Sequence, residues 1–290
     1  MTDLDSSDVV RVRLDFSYDG GDFQGWAMQP EFRTVQGVME AGLARLIRGF
    51  GRMRLTVAGR TDAGVHALNQ VAHVDMPRAA WEGTVSRTVK DPAVALRYRL
   101  WSVLPRDIVV KSVALAPPGF DARFSAMGRR YTYRISDRLE TRDPLRRSHV
   151  LWNRMPLDVD ALNAGGLLVT GLRDFAPYCR PRAFSTTIRE LQRFTWERPD
   201  SGPDAGLVVA TLEADAFCHS MVRSLVGAVK DVGSGRRDLA WLASHDDYSD
   251  RSPAVTVVPP HGLILESIEY PDHAEMALRA EITRRRRSLD

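Results

Sequence analysis

The densest chemistry in the chain lies in Ala58-Gly59-Arg60-Thr61-Asp62-Ala63-Gly64-Val65-His66-Ala67. One carboxylate, Asp62, follows a guanidinium, Arg60, among glycines and alanines. Glycine there permits tight or left-handed turns and lets a ligand approach the backbone. A carboxylate so placed can attack an electrophilic carbon or assist as a base. Apolar alternation in Met53-Leu55-Val57 and again over 71–76 predicts a strand at each end of the loop, a rigid mounting for a reacting group. Spacing by itself favours a plainer description, a short Asp/Gly turn carrying a surface Arg–Asp pair, because such turns are common. A metal centre is the other chemistry to weigh. Asp62, His66 and His73 are close in sequence and Cys218-His219 are adjacent, but no CxxC or HExxH occurs. A loop followed by a strand lacks helical ligand spacing, so no metal is expected.

The elements that must hold these groups are legible as periodicity. Val10, Val12, Leu14 and Phe16 alternate with Arg11, Arg13 and Asp15, a half-buried strand. Tyr18-Asp19-Gly20-Gly21 then turns the chain. Thr34 caps a helix whose apolar face is Val35, Val38, Met39, Leu43, Leu46 and Ile47. Asp91-Pro92 reads as a cap with proline at the first helical position, and that helix ends before Leu104-Pro105. Residues 108–116 form a strand broken by Pro117-Pro118-Gly119. In the second half, strands are expected over 130–135, 187–197, 207–214 and 263–270. Helices are expected over 157–169 and 219–232, the latter closed by Gly233. The connections are too short and irregular for repeated parallel βαβ units. The pattern therefore predicts an α+β fold of two domains with mainly antiparallel sheets flanked by helices. Their expected extents are 9–116 and 117–275, with 276–290 a disordered basic tail.

Composition bounds the reading. At 290 residues, 44% apolar and 27% charged, the chain can bury a sizeable core and is neither disordered throughout nor fibrous. No uncharged apolar run approaches the roughly 18 residues that cross a bilayer. The opening MTDLDSSDVV carries three Asp and no basic residue, the opposite of a secretory signal. Two cysteines cannot build a disulfide framework, so the cytoplasm is the expected compartment. Forty basic residues face 37 acidic ones, and only Lys90, Lys111 and Lys230 are lysines. A genome rich in Arg codons accounts for part of this. Arginine also suits bidentate recognition of phosphate. Arg45, Arg48, Arg52, Arg54 and Arg60 lie in a segment with no acid, eight arginines fall within 120–147, and Arg284–Arg287 run consecutively. Separate basic segments point to a positive surface facing a polyanion, although solvated helix and loop faces explain them equally well.

The loop around Asp62 resembles the GRTDAGVHA signature of the TruA family of tRNA pseudouridine synthases, over the nine consecutive residues Gly59 to Ala67. The resemblance runs in order from about residue 10 to 271. Tyr18-Asp19-Gly20, Phe23, Gly25-Trp26 and Thr34-Val35-Gln36 resemble the family's opening block, and Leu104-Pro105 with Asp107-Ile108 its LPxDI segment. Phe120–Ala126 followed by Arg129-Arg130-Tyr131-Thr132-Tyr133 resembles FHARFSAxxRxYxY. Asp174-Phe175, Phe217–Arg223 and His261-Gly262-Leu263 resemble its later blocks. The chain departs at Ala27, Val103 and Ser224, where the family usually carries Gln, Asn and Asn, and at Tyr178 in the DFxxF pattern.

The resemblance implies the pseudouridine synthase fold, two similar domains with the catalytic cleft between them. It implies isomerisation of uridine to pseudouridine at positions 38–40 of the tRNA anticodon stem-loop, by a homodimer and without a cofactor. Asp62 is then the catalytic carboxylate. Attack at C1′, attack at C6 of the base and deprotonation at C2′ all remain open to it. Tyr131 replaces the stacking lost by a flipped-out uridine, with Tyr133 left to the core. Arg223 is the cation that keeps Asp62 charged. Arg60 contacts phosphate and holds the flipped nucleotide, and Arg130 and His66 complete the substrate contacts, His66 by ordering the loop. A non-catalytic RNA binder is the alternative, and the intact Asp62, Tyr131 and Arg223 set argues against it. An Asp-nucleophile hydrolase finds no phosphate loop and no second carboxylate in the motif.

Overall fold

The computed structural model describes residues 8–51, 53–181, 186–247 and 249–284. Two compact units emerge. The first runs to Ala126 and takes back Ile268–Arg284, and the second spans Met127–Ser267.

The first unit contains β1 (Val9–Tyr18), α1 (Val35–Leu46), β2 (Thr56–Val57), β3 (His66–Pro77), α2 (Arg78–Glu82), α3 (Pro92–Val103) and β4 (Ile108–Leu115). Its strands run β4-β1-β3 with β2 added on β3, and these pairs are antiparallel. The alternation in β1 does what a period of two requires, burying Val10, Val12, Leu14, Phe16 and Tyr18 on one face. Thr34 caps α1 by accepting the Gly37 N–H, and Asp91 caps α3 by accepting the Ala93 and Val94 N–H groups. Two register shifts mark the end of β1. Phe16 faces Gln70 but Tyr18 faces Ala67, so β3 holds one extra residue there. Asp15 faces Ser112 but Phe16 faces Val110, so Lys111 is extra in β4. Lys111 Nζ donates to Leu68 O (2.7 Å) and Asn69 Oδ1 (3.0 Å), holding the β3 bulge.

The second unit contains β5 (Gly128–Ser136), β6 (Leu151–Trp152), α4 (Val159–Leu168), β7 (Gly171–Asp174), β8 (Ile188–Glu197), β9 (Val208–Ala214), α5 (Met221–Gly233), α6 (Leu239–Ala243) and all but the last two residues of β10 (Leu263–Glu269). The strand order is β10-β5-β9-β8-β7, with β6 parallel to β5. The β5–β9, β8–β9 and β7–β8 pairs are antiparallel. The architecture is α+β, with mainly antiparallel strands flanked by helices. Cys179 and Cys218 are joined in a disulfide between the turn after β7 and the approach to α5. No helix among the described residues is long and apolar enough to cross a membrane.

Three expectations change. Residues 53–57 were expected as a strand, but only Thr56 and Val57 pair with β3. The Leu55 N–H is taken instead by the buried carboxylate of Glu40 on α1 (3.0 Å), which also receives Gln36 Nε2 (2.8 Å). The boundary expected after residue 116 falls after Ala126. The reason is that Phe120 and Ala122 pack with Ala58 and Val71 in one cluster, and Ala122 N donates to His73 Nδ1. The expected disordered tail begins with a helix, α7 (Met276–Arg284). Met276 and Ala280, one helical turn apart, are each 2% exposed, and Ser125 Oγ donates to Met276 O (3.1 Å). Arg285–Arg287, like Arg52, lie outside the described residues.

Candidate active site

The loop between β2 and β3 is built against the segment that follows β1. Trp26 N donates to Thr61 O (3.1 Å), and Gly64 N donates to Phe23 O (3.2 Å). Two glycines make this approach possible. Gly25 has φ +83° and lies against the backbone of Thr61, Asp62 and Ala63, while Gly20 abuts the Val65 carbonyl. Any side chain at either position would push the loop away. Asp62 heads a turn in which Val65 N donates to Asp62 O (3.2 Å), and Gly64 supplies the left-handed φ of +76°. Asp62 is half-buried and Arg60 exposed. His66 is buried and faces inward, its Nδ1 accepting the Gly20 N–H (3.0 Å) and standing 2.9 Å from Asp19 Oδ1. It orders the loop and offers little surface to a substrate.

Beneath the loop sits a polar cluster that the sequence reading passed over. Tyr18 Oη is 2.8 Å from Thr61 Oγ1. Gln70 Nε2 donates to Tyr18 Oη (3.2 Å) and to Gly59 O (2.9 Å). All three side chains are buried. The motif showed Thr61, and Tyr18 stood in the opening block as the start of a turn, but Gln70 precedes the strand expected over 71–76 and carried no local signal.

In the second unit, β5 carries Arg130 outward and Tyr131 and Tyr133 inward. Arg130 Nε donates to Glu213 Oε1 (2.7 Å) on β9. Tyr131 meets Phe217 edge to face at 5.2 Å. Tyr133 is fully buried, as expected for a core residue. It also has work at its tip, because its hydroxyl donates to Pro259 O (2.8 Å) and its ring lies against Gly262. Burial pushes the Tyr133 hydroxyl pKa up, against an opposing pull from the Arg223 cation.

Arg223 lies in the first turn of α5. The helix was expected from residue 219 but starts at Met221, since Ser220 takes a left-handed φ of 65°. Arg223 Nε donates to Val258 O (2.8 Å), and Val258 N donates to Arg223 O (3.3 Å). The 256–258 segment reaches α5 because residue 227 is glycine, whose missing β-carbon leaves room for the Thr256 carbonyl. Tyr133 thus fixes Pro259 and Gly262, and the adjoining Val258 aims the guanidinium. Of the groups weighed as metal ligands, His66 and His73 each give Nδ1 to a backbone amide and Cys218 is bonded to Cys179.

A family model described as tRNA pseudouridine synthase matches residues 168–271. A tRNA pseudouridine synthase A of Streptomyces griseus is 50% identical over 289 residues, spanning 100% of this chain and 98% of its own length. That of Frankia casuarinae is 51% identical over 278 residues, 95% of each chain. The chain belongs to the tRNA pseudouridine synthase A family. A Bifidobacterium longum member is 43% identical over 303 residues, covering 97% of this chain and all of its own. Membership therefore extends over both units and takes in the Asp62 loop as well as the region that the family model matches.

Proposed function

We propose that the protein isomerises uridine to pseudouridine in tRNA, at positions 38–40 of the anticodon stem-loop, with Asp62 as the catalytic carboxylate. The observation that carries this reading is identity of 50% across the whole chain to a curated tRNA pseudouridine synthase A. The intact loop around Asp62, mounted rigidly on its neighbours, supports it.

The reaction breaks the C1′–N1 bond, turns the uracil and forms a C1′–C5 bond. The C5 proton leaves and N1 is protonated, so no atom is gained or lost overall and neither redox equivalents nor ATP are consumed. Asp62 supplies a carboxylate to the sugar, the base or the C2′ proton. Arg223 stabilises its charge, and Tyr131 walls the unstacked uracil. Arg60 and Arg130, both exposed, contact RNA phosphates. The working unit is a homodimer in the cytoplasm.

The test is tritium release from tRNA transcript labelled at uracil C5, followed by mapping of the modified positions. Release is expected from wild type and not from Asp62→Asn, which should still bind tRNA. No release from any labelled tRNA would remove the enzymatic reading. Release with modification outside the anticodon arm would keep the chemistry and overturn the target. Light scattering at micromolar protein checks the dimer.

A further inference from the structure

We infer that Tyr18 and Gln70 are positioning residues for Asp62, acting through the side chain of Thr61 and the carbonyl of Gly59. This rests on the reading of Asp62 as the catalytic carboxylate.

The residue immediately before Asp62 is held at two points. Its carbonyl accepts the Trp26 N–H (3.1 Å), and its hydroxyl lies 2.8 Å from Tyr18 Oη. On the far side of Arg60, the Gly59 carbonyl accepts Gln70 Nε2 (2.9 Å). The same amide donates to Tyr18 Oη (3.2 Å), so one buried Tyr–Gln pair grips the loop on both sides of Arg60. Gln70 Oε1 is itself satisfied by the Val71 N–H (3.2 Å), which fixes the amide's orientation. Gln70 donates to the Tyr18 oxygen, and the Tyr18 and Thr61 hydroxyls share a further hydrogen bond in which either can be the donor. Burial pushes the Tyr18 hydroxyl pKa up to about 12, so the hydroxyl stays protonated at neutral pH.

Packing does not require these polar atoms. Tyr18 is 4% and Gln70 0% exposed, and Tyr18 lies beside the ring of Phe16 (6.1 Å between centroids). Phenylalanine at 18 would fill almost the same space without a hydroxyl to satisfy. A buried polar group is costly unless it is bonded, and a fully bonded network defines one arrangement instead of several. The strands are also adjusted here. The extra residue in β3 falls between Ala67 and Gln70, and bulges of this kind re-aim side chains beside active sites. What the network controls is the place of one backbone, and the Asp62 carboxylate is carried on that backbone. Misplacement of a reacting group by about 1 Å costs on the order of 100-fold in rate.

The experiment compares Tyr18→Phe, Thr61→Val, Thr61→Ser and the double variant Tyr18→Phe/Thr61→Val. Single-turnover tritium release, tRNA Kd and Tm are measured for each, with Asp62→Asn beside them. Expected is a loss of about 10- to 100-fold in the single-turnover rate for Tyr18→Phe and Thr61→Val. Their tRNA Kd should stay within about twofold of wild type. The double variant should be no slower than the worse single one, as for a shared interaction, and Thr61→Ser should recover the rate that Thr61→Val loses. A purely structural role would lower Tm and leave the rate of folded protein unchanged well below Tm, and that result overturns the proposal. Gln70→Met, which keeps volume without donors, gives the same rate test if Thr61→Val does not fold. If Asp62→Asn turns over normally, the reading of Asp62 fails. If it is inactive while Tyr18→Phe and Thr61→Val both run at the wild-type rate, only the positioning role fails.

Discussion

Gly25 and Thr61 are in backbone contact so close that a β-carbon on Gly25 would stand 2.9 Å from the Thr61 carbonyl oxygen. The two residues belong to different motif blocks, the GW pair and the loop of Asp62. Their contact ties the two blocks into one framework around Asp62. Gly25 also carries φ +83°, a region costing an ordinary residue roughly 1–2 kcal/mol. Gly25→Ala therefore meets strain and collision together. It is expected to lower stability by about 2 kcal/mol or more and to slow tritium release by on the order of 100-fold. Gly49 is the control. Its φ is +87° but nothing lies within 4 Å of its missing β-carbon, so Gly49→Ala should cost stability alone. Urea melts and single-turnover assays on the two variants separate strain from displacement of the loop.

The guanidinium of Arg223 is aimed by a carbonyl, and that makes a prediction about lysine. Nε donates to Val258 O, which sets the orientation of the guanidinium. Lysine keeps the charge but has no equivalent of Nε, so its ammonium is not oriented. Arg223→Lys is expected to reduce the single-turnover rate by on the order of 100-fold or more while tRNA affinity changes little. Tyr133→Phe should give a smaller loss in the same direction, because Pro259 and the adjoining Val258 lose one anchor. A rate for Arg223→Lys near wild type would show that charge alone suffices.

Much of the scaffold was readable because its signals are local. Thr34 and Asp91 sit beside the N–H groups they cap, and the period of two in β1 needs no partner to be seen. The failures share a cause, dependence on residues far away. Leu55 leaves the strand pattern because Glu40 on α1 claims its N–H. Residues 276–284 looked like an arginine-rich tail because the pocket for Met276 is made by Ala58, Val71, Phe120 and Ala122. The site divides in the same way. Asp62, Tyr131 and Arg223 were named by family resemblance, whereas spacing alone favoured an ordinary turn. Tyr18 stood in a matching block that did not tell its task, and Gln70 had no signature, because they act across 43 and 11 residues on Thr61 and Gly59.

Helix propensity and packing oppose each other at Gly227. In a helix interior, alanine is better than glycine by about 1 kcal/mol. Here a β-carbon would run into the Thr256 carbonyl, and a backbone atom has little freedom to yield. Overpacking of this kind costs about 1–3 kcal/mol, so packing wins and Gly227→Ala should lower Tm. Displacement of the 256–258 segment should also slow catalysis through Arg223. A raised Tm would mean that the segment moves aside easily.

Acid sensitivity should be traceable to Asp137. Burial raises its carboxyl pKa, but this is outweighed by Arg198, which donates to both oxygens (2.8 and 2.7 Å), and by the Leu157 N–H (2.8 Å). The net direction is down, and the same pair raises the Arg198 pKa. A carboxylate depressed on folding stabilises the native state above its unfolded pKa of about 3.9. That stability is lost as pH falls from there through the lower folded value, where the native state too becomes protonated. Asp137→Asn removes the titration and leaves Arg198 without its charged partner, a loss of about 3 kcal/mol at pH 7 for a buried pair. The gap between wild type and Asp137→Asn in urea unfolding should be constant from pH 7 to about pH 5 and narrow below about pH 4. A gap that widened on acidification would contradict the depressed carboxylate.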